Sequence, residues 1–377
     1  MKVLGLVLAG ARGGCLEPLT NVRTIAAIPV FGKYRSIDFT LSNMVNAGIS
    51  KVGIITQYSP RSLMDHLGSG KEWDLDRKHG GLFILQPIYS RHNESIDSFG
   101  YRGTADSIFQ NMTLLKRGNE DHVLIGSGDH IFKIDFSEFF KKHVETGADI
   151  TILTKRIDIS KVKEQVWTVE TDDSGRVLSW KKGVPESENN EQVVSLGVYF
   201  INKFLLRELL YATVPQNKKD FLEDIVIAQN DSLKVLSYDY TGYWSNLSWG
   251  LENFYDTNMD ILNRDIRKEL FLENGGIYTK LKDLPPPKIT SIGSISNSLI
   301  SDGCVISGEV SNSVVSRKTY VRAGATVKNS VIFEGCVIEE GATVENAILD
   351  KYCVIRSGGQ FIGNKEKPSI AEKNLVV

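Results

Sequence analysis

Residues 296–355 repeat. The segments SNSLISDGCVI (296–306), SNSVVSRKTYV (311–321), KNSVIFEGCVI (328–338) and ENAILDKYCVI (345–355) align at steps of 15, 17 and 17 residues. Within each unit apolar pairs recur every five or six residues, as in VRAGATVKNSVI (321–332). Three faces of about six residues make a turn of about 18, which is the signature of a parallel β-helix. Cys304, Cys336 and Cys353 share one register of the repeat, with Thr319 in the same place. That register predicts stacked core side chains rather than metal ligands. A β-helix can also carry acyl transfer, which wants a histidine base, but the last histidine is His143, well before the repeats. Packing and assembly are therefore the expected role of residues 288–364.

Up to about residue 265 the pattern differs. VLGLVLA (3–9), KVGIITQ (51–57), HVLIGSGD (122–129), DITILTK (149–155) and VVSLGVYFI (193–201) are short apolar runs, suited to strands buried on both faces of a mostly parallel sheet. Helix-like segments lie between them at Ser36–Ala47, Thr104–Arg117, Phe136–Thr146 and Phe204–Leu210. The alternation implies an α/β layered fold with ligands at the C-terminal ends of the strands. Pro285-Pro286-Pro287 reads as a stiff connector to the repeats. The division expected is an α/β domain over 1–265, a linker over 266–290, the β-helix over 291–364 and a tail over 365–377.

A net charge of −2 argues against a duplex nucleic-acid partner, which would require a basic face. No apolar run reaches the roughly 18 residues of a membrane span. The apolar start, Met1–Ala11, reads as a buried first strand and not as a signal peptide, because Arg12 closes it early. Four sparse cysteines suit a reducing cytoplasm, the expected location.

The first strand runs into a glycine-rich turn, Gly10-Ala11-Arg12-Gly13-Gly14-Cys15, of the kind that cradles phosphate with backbone N–H groups. Gly103-Thr104-Ala105-Asp106 and Gly128-Asp129 are further candidates for nucleotide contact, against the alternative that these glycines serve turn geometry alone. Arg12, Arg23, Lys33 and Arg35 make a basic group that is either solvated charge or an anion site.

LAGARGGCLEPLT, FGKYRSIDFTLSN, YRGTADSIFQN, SGDHIFKIDF, SLGVYF and YWSNLSWGLENFYDTNMDIL together give the chain a resemblance to the bacterial ADP-glucose pyrophosphorylases (glucose-1-phosphate adenylyltransferases) along nearly its whole length. The resemblance implies a Rossmann-like nucleotidyltransferase domain followed by a left-handed parallel β-helix of hexapeptide type. It also implies a reaction of ATP with glucose 1-phosphate assisted by Mg²⁺. Against the family's motifs this chain departs in five places. G-G-R-G-T-R ends here in Cys15, without its second arginine. R-A-K-P is Arg23-Thr24-Ile25-Ala26, without its lysine. F-x-E-K-P falls on Trp180-Lys181-Lys182-Gly183-Val184, and D-F-G-x-D on Asp220-Phe221-Leu222-Glu223-Asp224. Y-W-x-D ends in Asn246.

The resemblance thus makes Cys15, Ile25 and Asn246 positions of lost catalytic groups. It makes Asp129 a metal ligand with an impaired partner in Asn246, so that Mg²⁺ is expected to bind weakly. It assigns nucleotide contacts to Gly10, Arg12, Gly13, Gly14, Gly103, Thr104, Asp106 and Gly128. The sugar subsite falls on Ser195 and Gly197, with Lys182 and Gly183 degenerate. Arg23 and Arg35 match positions that contact a sugar-phosphate effector in relatives. The pattern is that of the degenerate, GlgD-type regulatory subunit, which would assemble with a catalytic subunit in a mixed tetramer for bacterial glycogen synthesis. The rival expectations are an active adenylyltransferase with altered ligands and a stand-alone sugar-phosphate sensor.

Overall fold

The computed structural model describes residues 1–87, 100–158, 162, 165–183, 191–273 and 275–377. Nine strands form the central sheet of the N-terminal domain. They are β1 (Val3–Leu8), β2 (Lys51–Ile55), β3 (Gly81–Leu85), β4 (His122–Ser127), β5 (Ile150–Asp158), β6 (Val166–Thr171), β7 (Val177–Gly183), β8 (Glu191–Asn202) and β9 (Val235–Asp239). The order runs β7-β6-β8-β4-β1-β2-β3, with β5 on β8 and β9 on β5. The sheet is mixed, not mostly parallel. β4-β1-β2-β3 is parallel, whereas β8 runs antiparallel to β4, β5 and β6. An apolar run buried on both faces does not encode strand direction, so VVSLGVYFI reads the same either way.

Helices α1 (Ser36–Asn46), α2 (Arg61–Leu67), α3 (Thr104–Gln110), α4 (Met112–Lys116), α5 (Phe136–Thr146), α6 (Lys203–Thr213), α7 (Leu251–Asp260) and α8 (Arg264–Leu272) complete the domain. The segment predicted as one helix over Thr104–Arg117 breaks at Asn111. Its amide donates to the Ser107 carbonyl at 2.8 Å and to the Tyr101 hydroxyl at 2.8 Å, in competition with the helical ladder. Helix α6 runs three residues past its apolar pattern at the C-terminal end, and at its start the Asn202 side chain caps it, accepting from the N–H groups of Phe204 and Leu205.

From Lys288 to Ala371 the chain winds a left-handed β-helix of three parallel five-stranded faces. The first strand is Lys288–Ile289 and the last Ser369–Ala371, a wider span than the sequence-based limits of 291 and 364. Cys304, Thr319, Cys336 and Cys353 stack in its core at 0–1% exposure. One corner of each of the first four turns is an asparagine in the left-handed region: Asn297, Asn312, Asn329 and Asn346. Their amides form a ladder, each Nδ2 donating to the next Oδ1 at 2.8–3.2 Å.

The two domains share one apolar core. Leu16, Ile25, Ile28, Phe31, Phe39 and Phe254 pack with Val314, Val331, Phe333 and Ile348 of the β-helix. Beside this core Arg23 forms a buried bidentate ion pair with Asp350, at 2.9 and 3.0 Å. Its two side chains are 3% and 2% exposed. No helix among the described residues is long and apolar enough to cross a membrane.

Candidate functional site

The parallel strands end in a cleft of about 330 Å³. Leu8, Gly10 and Arg12 line it from the end of β1, Gln57 from beyond β2, and Ser127 from β4. Tyr101, Gly103 and Thr104 close it from the start of α3. This is the strand end that the α/β alternation predicts. Gln57 Oε1 accepts from the Tyr101 backbone N–H at 2.9 Å, which ties the two walls together.

The turn glycines do different work. A side chain at Gly14 would meet nothing, so the turn is open there, and Gly10 also has room. Gly13 has φ +76°, and a Cβ on it would lie 2.6 Å from Ile25. A Cβ on Gly103 would lie 2.5 Å from the Lys219 carbonyl, so packing requires glycine there, and one on Gly128 would press on the Ala26 methyl at 3.0 Å. Arg12 is exposed, with no hydrogen bond or ion pair among the described residues. The Thr104 hydroxyl is committed, donating to Asp220 at 2.9 Å and accepting from the Phe221 N–H at 2.7 Å. Asp106 is buried and holds the approach to α3: it accepts from the Arg102 guanidinium at 2.7 Å, the Arg102 N–H and Gln110. Burial works to raise its pKa, but the Arg102 bonds prevail and the carboxyl lies below its ordinary range.

Cys15 sits exposed in the short turn Gly14–Leu16. Ile25 is 1% exposed and belongs to the shared core beneath the turn. Neither side chain can offer a cation to a phosphate. Asp129 and Asn246 are brought together. The ribbon His130–Phe132 pairs antiparallel with Trp244–Asn246, which sets Asn246 opposite His130, and the Leu247 N–H bonds the Asp129 carbonyl at 3.0 Å. Asp129 Oδ1 accepts a short bond from the Ser127 hydroxyl. Burial keeps His130 below its usual pKa despite Asp129. Asn246 Oδ1 accepts from the Ser248 N–H at 2.9 Å and its hydroxyl at 2.6 Å. The amide oxygen thus caps the turn Leu247–Trp249. Mg²⁺ is ordinarily held by one or two carboxylates together with substrate phosphates, and of this pair only Asp129 offers a charged oxygen, Asn246 offering an uncharged one already bonded to Ser248. The described residues hold no group of three or more His, Cys, Asp or Glu side chains placed to bind a metal.

Gly197 has φ +65° in the irregular stretch of β8 between Ser195 and Tyr199, and a Cβ on it would lie 3.5 Å from His130. Lys182 pairs with Glu223 at 2.5 Å and lies over the Trp167 ring. A cation from β7 and a carboxylate from the Asp220–Asp224 segment therefore neutralise each other. Gly183 contacts nothing through its missing side chain. Val184 lies outside the described residues.

The basic group of the N-terminal segment is dispersed by the fold. Arg23 is spent on Asp350. Arg35 instead lines a second cavity, about 200 Å³, where the Pro29–Arg35 segment and α2 meet the connector and the β-helix. Lys33, Lys280, Lys282, Arg317 and Lys351 line it too. Arg35 Nη1 and Arg317 Nε are buried without hydrogen-bond partners. Burial, then the charge of Arg23, lowers the Arg35 pKa to about 10; burial and Arg35 lower that of Lys351 to about 7. Two buried donors without acceptors in a basic hollow are suited to an anion. Sequence reasoning found Lys33 and Arg35 but missed Arg317 and Lys351. The signal was present: both follow an apolar pair at the same corner of the repeat.

Comparison with known proteins agrees with this architecture. Residues 4–264 match the nucleotidyl transferase family model, and residues 285–372 match a GlmU-like C-terminal hexapeptide model. A glucose-1-phosphate adenylyltransferase of Fervidobacterium nodosum is 36% identical over 328 residues, covering 86% of this chain and 77% of its own. The Bacillus mycoides protein of that name is 35% identical over 337 residues, covering 86% and 85%. That of Clostridium novyi is 33% identical over 329 residues, covering 86% and 84%. With both domains matched and similarity at this level over most of its length, the chain belongs to the glucose-1-phosphate adenylyltransferase family.

Proposed function

We propose that this chain is a regulatory subunit of a glucose-1-phosphate adenylyltransferase, with little or no catalysis of its own, assembled with a catalytic subunit in a mixed tetramer of the GlgD type. The reaction served is attack of a glucose 1-phosphate oxygen on the α-phosphorus of ATP, giving ADP-glucose and pyrophosphate. It gathers negative charge on crowded oxygens, so its rate depends on cations held in place. The observation that carries the reading is Asn246. It stands beside Asp129 where a second carboxylate would be needed, and its oxygen is consumed by Ser248. Cys15 and Ile25 remove two further positive charges, and we expect Mg²⁺ binding to be weak. The open turn at Gly10–Gly14 and the cleft beside it are compatible with residual nucleotide binding.

The cavity around Arg35 supports the regulatory half of the reading, as a site for a sugar-phosphate effector. Arg23 then acts by fixing the β-helix against the N-terminal segment, and Arg35, Arg317 and Lys351 meet the anion. Each missing electrostatic group costs ~10²–10³ in rate, and such losses overlap rather than multiply. The purified chain should therefore convert ATP and glucose 1-phosphate at least ~10³-fold more slowly than a relative with the full motifs. Co-expression with such a relative should give a mixed oligomer whose response to sugar phosphates differs from that of the relative alone. A rate within tenfold of the relative would replace this reading with that of an active enzyme with altered ligands.

A further inference from the structure

The basic cavity between the domains contains a carboxylate that an anion receptor does not require. Glu334 is 12% exposed by its side chain and stands between Arg317 and Lys351 at one corner of three successive β-helix turns. Its Oε1 accepts from Lys282 at 2.6 Å, and its Oε2 lies 3.9 Å from Lys351. The one other carboxylate lining the cavity among the described residues, Asp65, is an exposed residue on α2. Each oxygen of Glu334 thus faces one lysine. Arg35 Nη1 and Arg317 Nε, which line the same space, receive nothing from it.

We propose that Glu334 is the resident counter-anion of this cavity: it occupies Lys282 and Lys351 in the ligand's absence, a phosphate must displace it, and it thereby sets the concentration at which the site fills. This rests on the reading of the cavity as an anion site. The carboxylate hydrogen-bonds Lys282, lies only in ion-pair range of Lys351 and reaches neither guanidinium donor, so a tetrahedral dianion has more to gain there than Glu334 has. The exchange therefore favours the ligand only above a threshold. Burial opposes the charge on Glu334, but the Lys282 bond and the neighbouring cations outweigh burial and hold its pKa below the ordinary range. It remains ionised at neutral pH and competes throughout.

The test titrates inorganic phosphate into the full-length chain by calorimetry, comparing wild type with Glu334→Gln and Arg317→Gln. Removing a competing charge from a desolvated site should tighten phosphate binding in Glu334→Gln by about tenfold or more, while Arg317→Gln weakens it. Unchanged or weaker binding in Glu334→Gln, with Arg317→Gln still weakened, overturns the role of Glu334 and leaves the anion site standing. No phosphate binding to wild type or to Glu334→Gln overturns both. Should Glu334→Gln fail to fold, Glu334→Asp shortens the reach to Lys282 and should tighten binding to a lesser degree. Wild-type or weaker affinity in that variant counts against the proposal.

Discussion

Ile25 shows how a single side chain can belong to two arguments. Beside the family's motif it is a missing lysine; in the structure it is 1% exposed and packs under Gly13 in the core that joins the domains. A lysine placed there must bury or bend its ammonium among apolar groups, which is costly without a partner. Ile25→Lys should therefore lose more than about 2 kcal/mol in urea unfolding. Cys15→Arg with Asn246→Asp should stay within about 1 kcal/mol of wild type, because position 15 is exposed and aspartate caps as well as asparagine. If Ile25→Lys is as stable as that pair, its ammonium reaches the cleft and position 25 is a lost catalytic site with its geometry intact. Lys351 supplies the pH dependence. Its folded pKa of about 7 lies below that of the unfolded chain, so between these values the unfolded state binds more protons. Its contribution to stability is accordingly unfavourable below about pH 7 and recovers as pH rises. A dianion reverses that preference, because it favours the charged lysine. Sulfate, which does not titrate in this range, should bind more weakly as pH rises from 6 to 9, and Lys351→Met should flatten that slope. An unaltered slope in Lys351→Met would assign the titration to another group.

The elements were legible in the sequence to the degree that their pattern is local. The β-helix came from a period of 17 and from apolar pairs, and both are consequences of stacking identical turns. The direction of β8, the break at Asn111 and the strands β3, β6, β7 and β9 were not legible. They depend on partners far along the chain or on one amide competing with a helix. In the cleft, the sequence indicated which residues lie near phosphate, yet Thr104, Asp106 and Gly103 turn out to be held by protein contacts. A motif states residue type and spacing; it does not state which bonds a side chain has already made. The asparagine ladder is the clearest case at this scale. Asn329 has φ 45°, donates to Asn346, accepts from Asn312, and its carbonyl receives the Tyr255 hydroxyl at 2.6 Å. Asn329→Ala removes two ladder bonds and leaves alanine in a left-handed conformation, at a cost of about 2–3 kcal/mol. Asn329→Gly removes the same bonds without the conformational strain and should cost about 1 kcal/mol less. Equal losses in thermal unfolding would mean that the ladder, not the backbone, accounts for the asparagine.

At the scale of the molecule, the repeat and the α/β alternation suggested two domains with a stiff connector. The structure joins them more closely. Phe333 is 1% exposed, stands on the β-helix, and meets Phe254 of α7 edge-on at 6.2 Å. Around them lie Leu16, Ile28 and Phe31 on one side and Val331 and Ile348 on the other. The Arg23–Asp350 pair at the margin spans the two domains, and removing either partner would leave the other an uncompensated buried charge, at about 3–5 kcal/mol. A test of assembly by deleting residues 288–364 would therefore expose this core and confuse loss of folding with loss of an oligomer contact. The informative change is Phe333→Ala. It leaves every strand of the β-helix in place and removes apolar volume only at the junction. Truncating a buried phenylalanine costs about 3–5 kcal/mol. Because the core is shared, that loss should lower the midpoint of one cooperative transition, seen alike by circular dichroism and by the fluorescence of the five tryptophans, all of which lie in the N-terminal domain. If the tryptophan signal keeps its wild-type midpoint while the β-helix melts early, the domains fold independently. Arg23 would then be a hinge between them, and an anion in the cavity beside it could move one domain on the other.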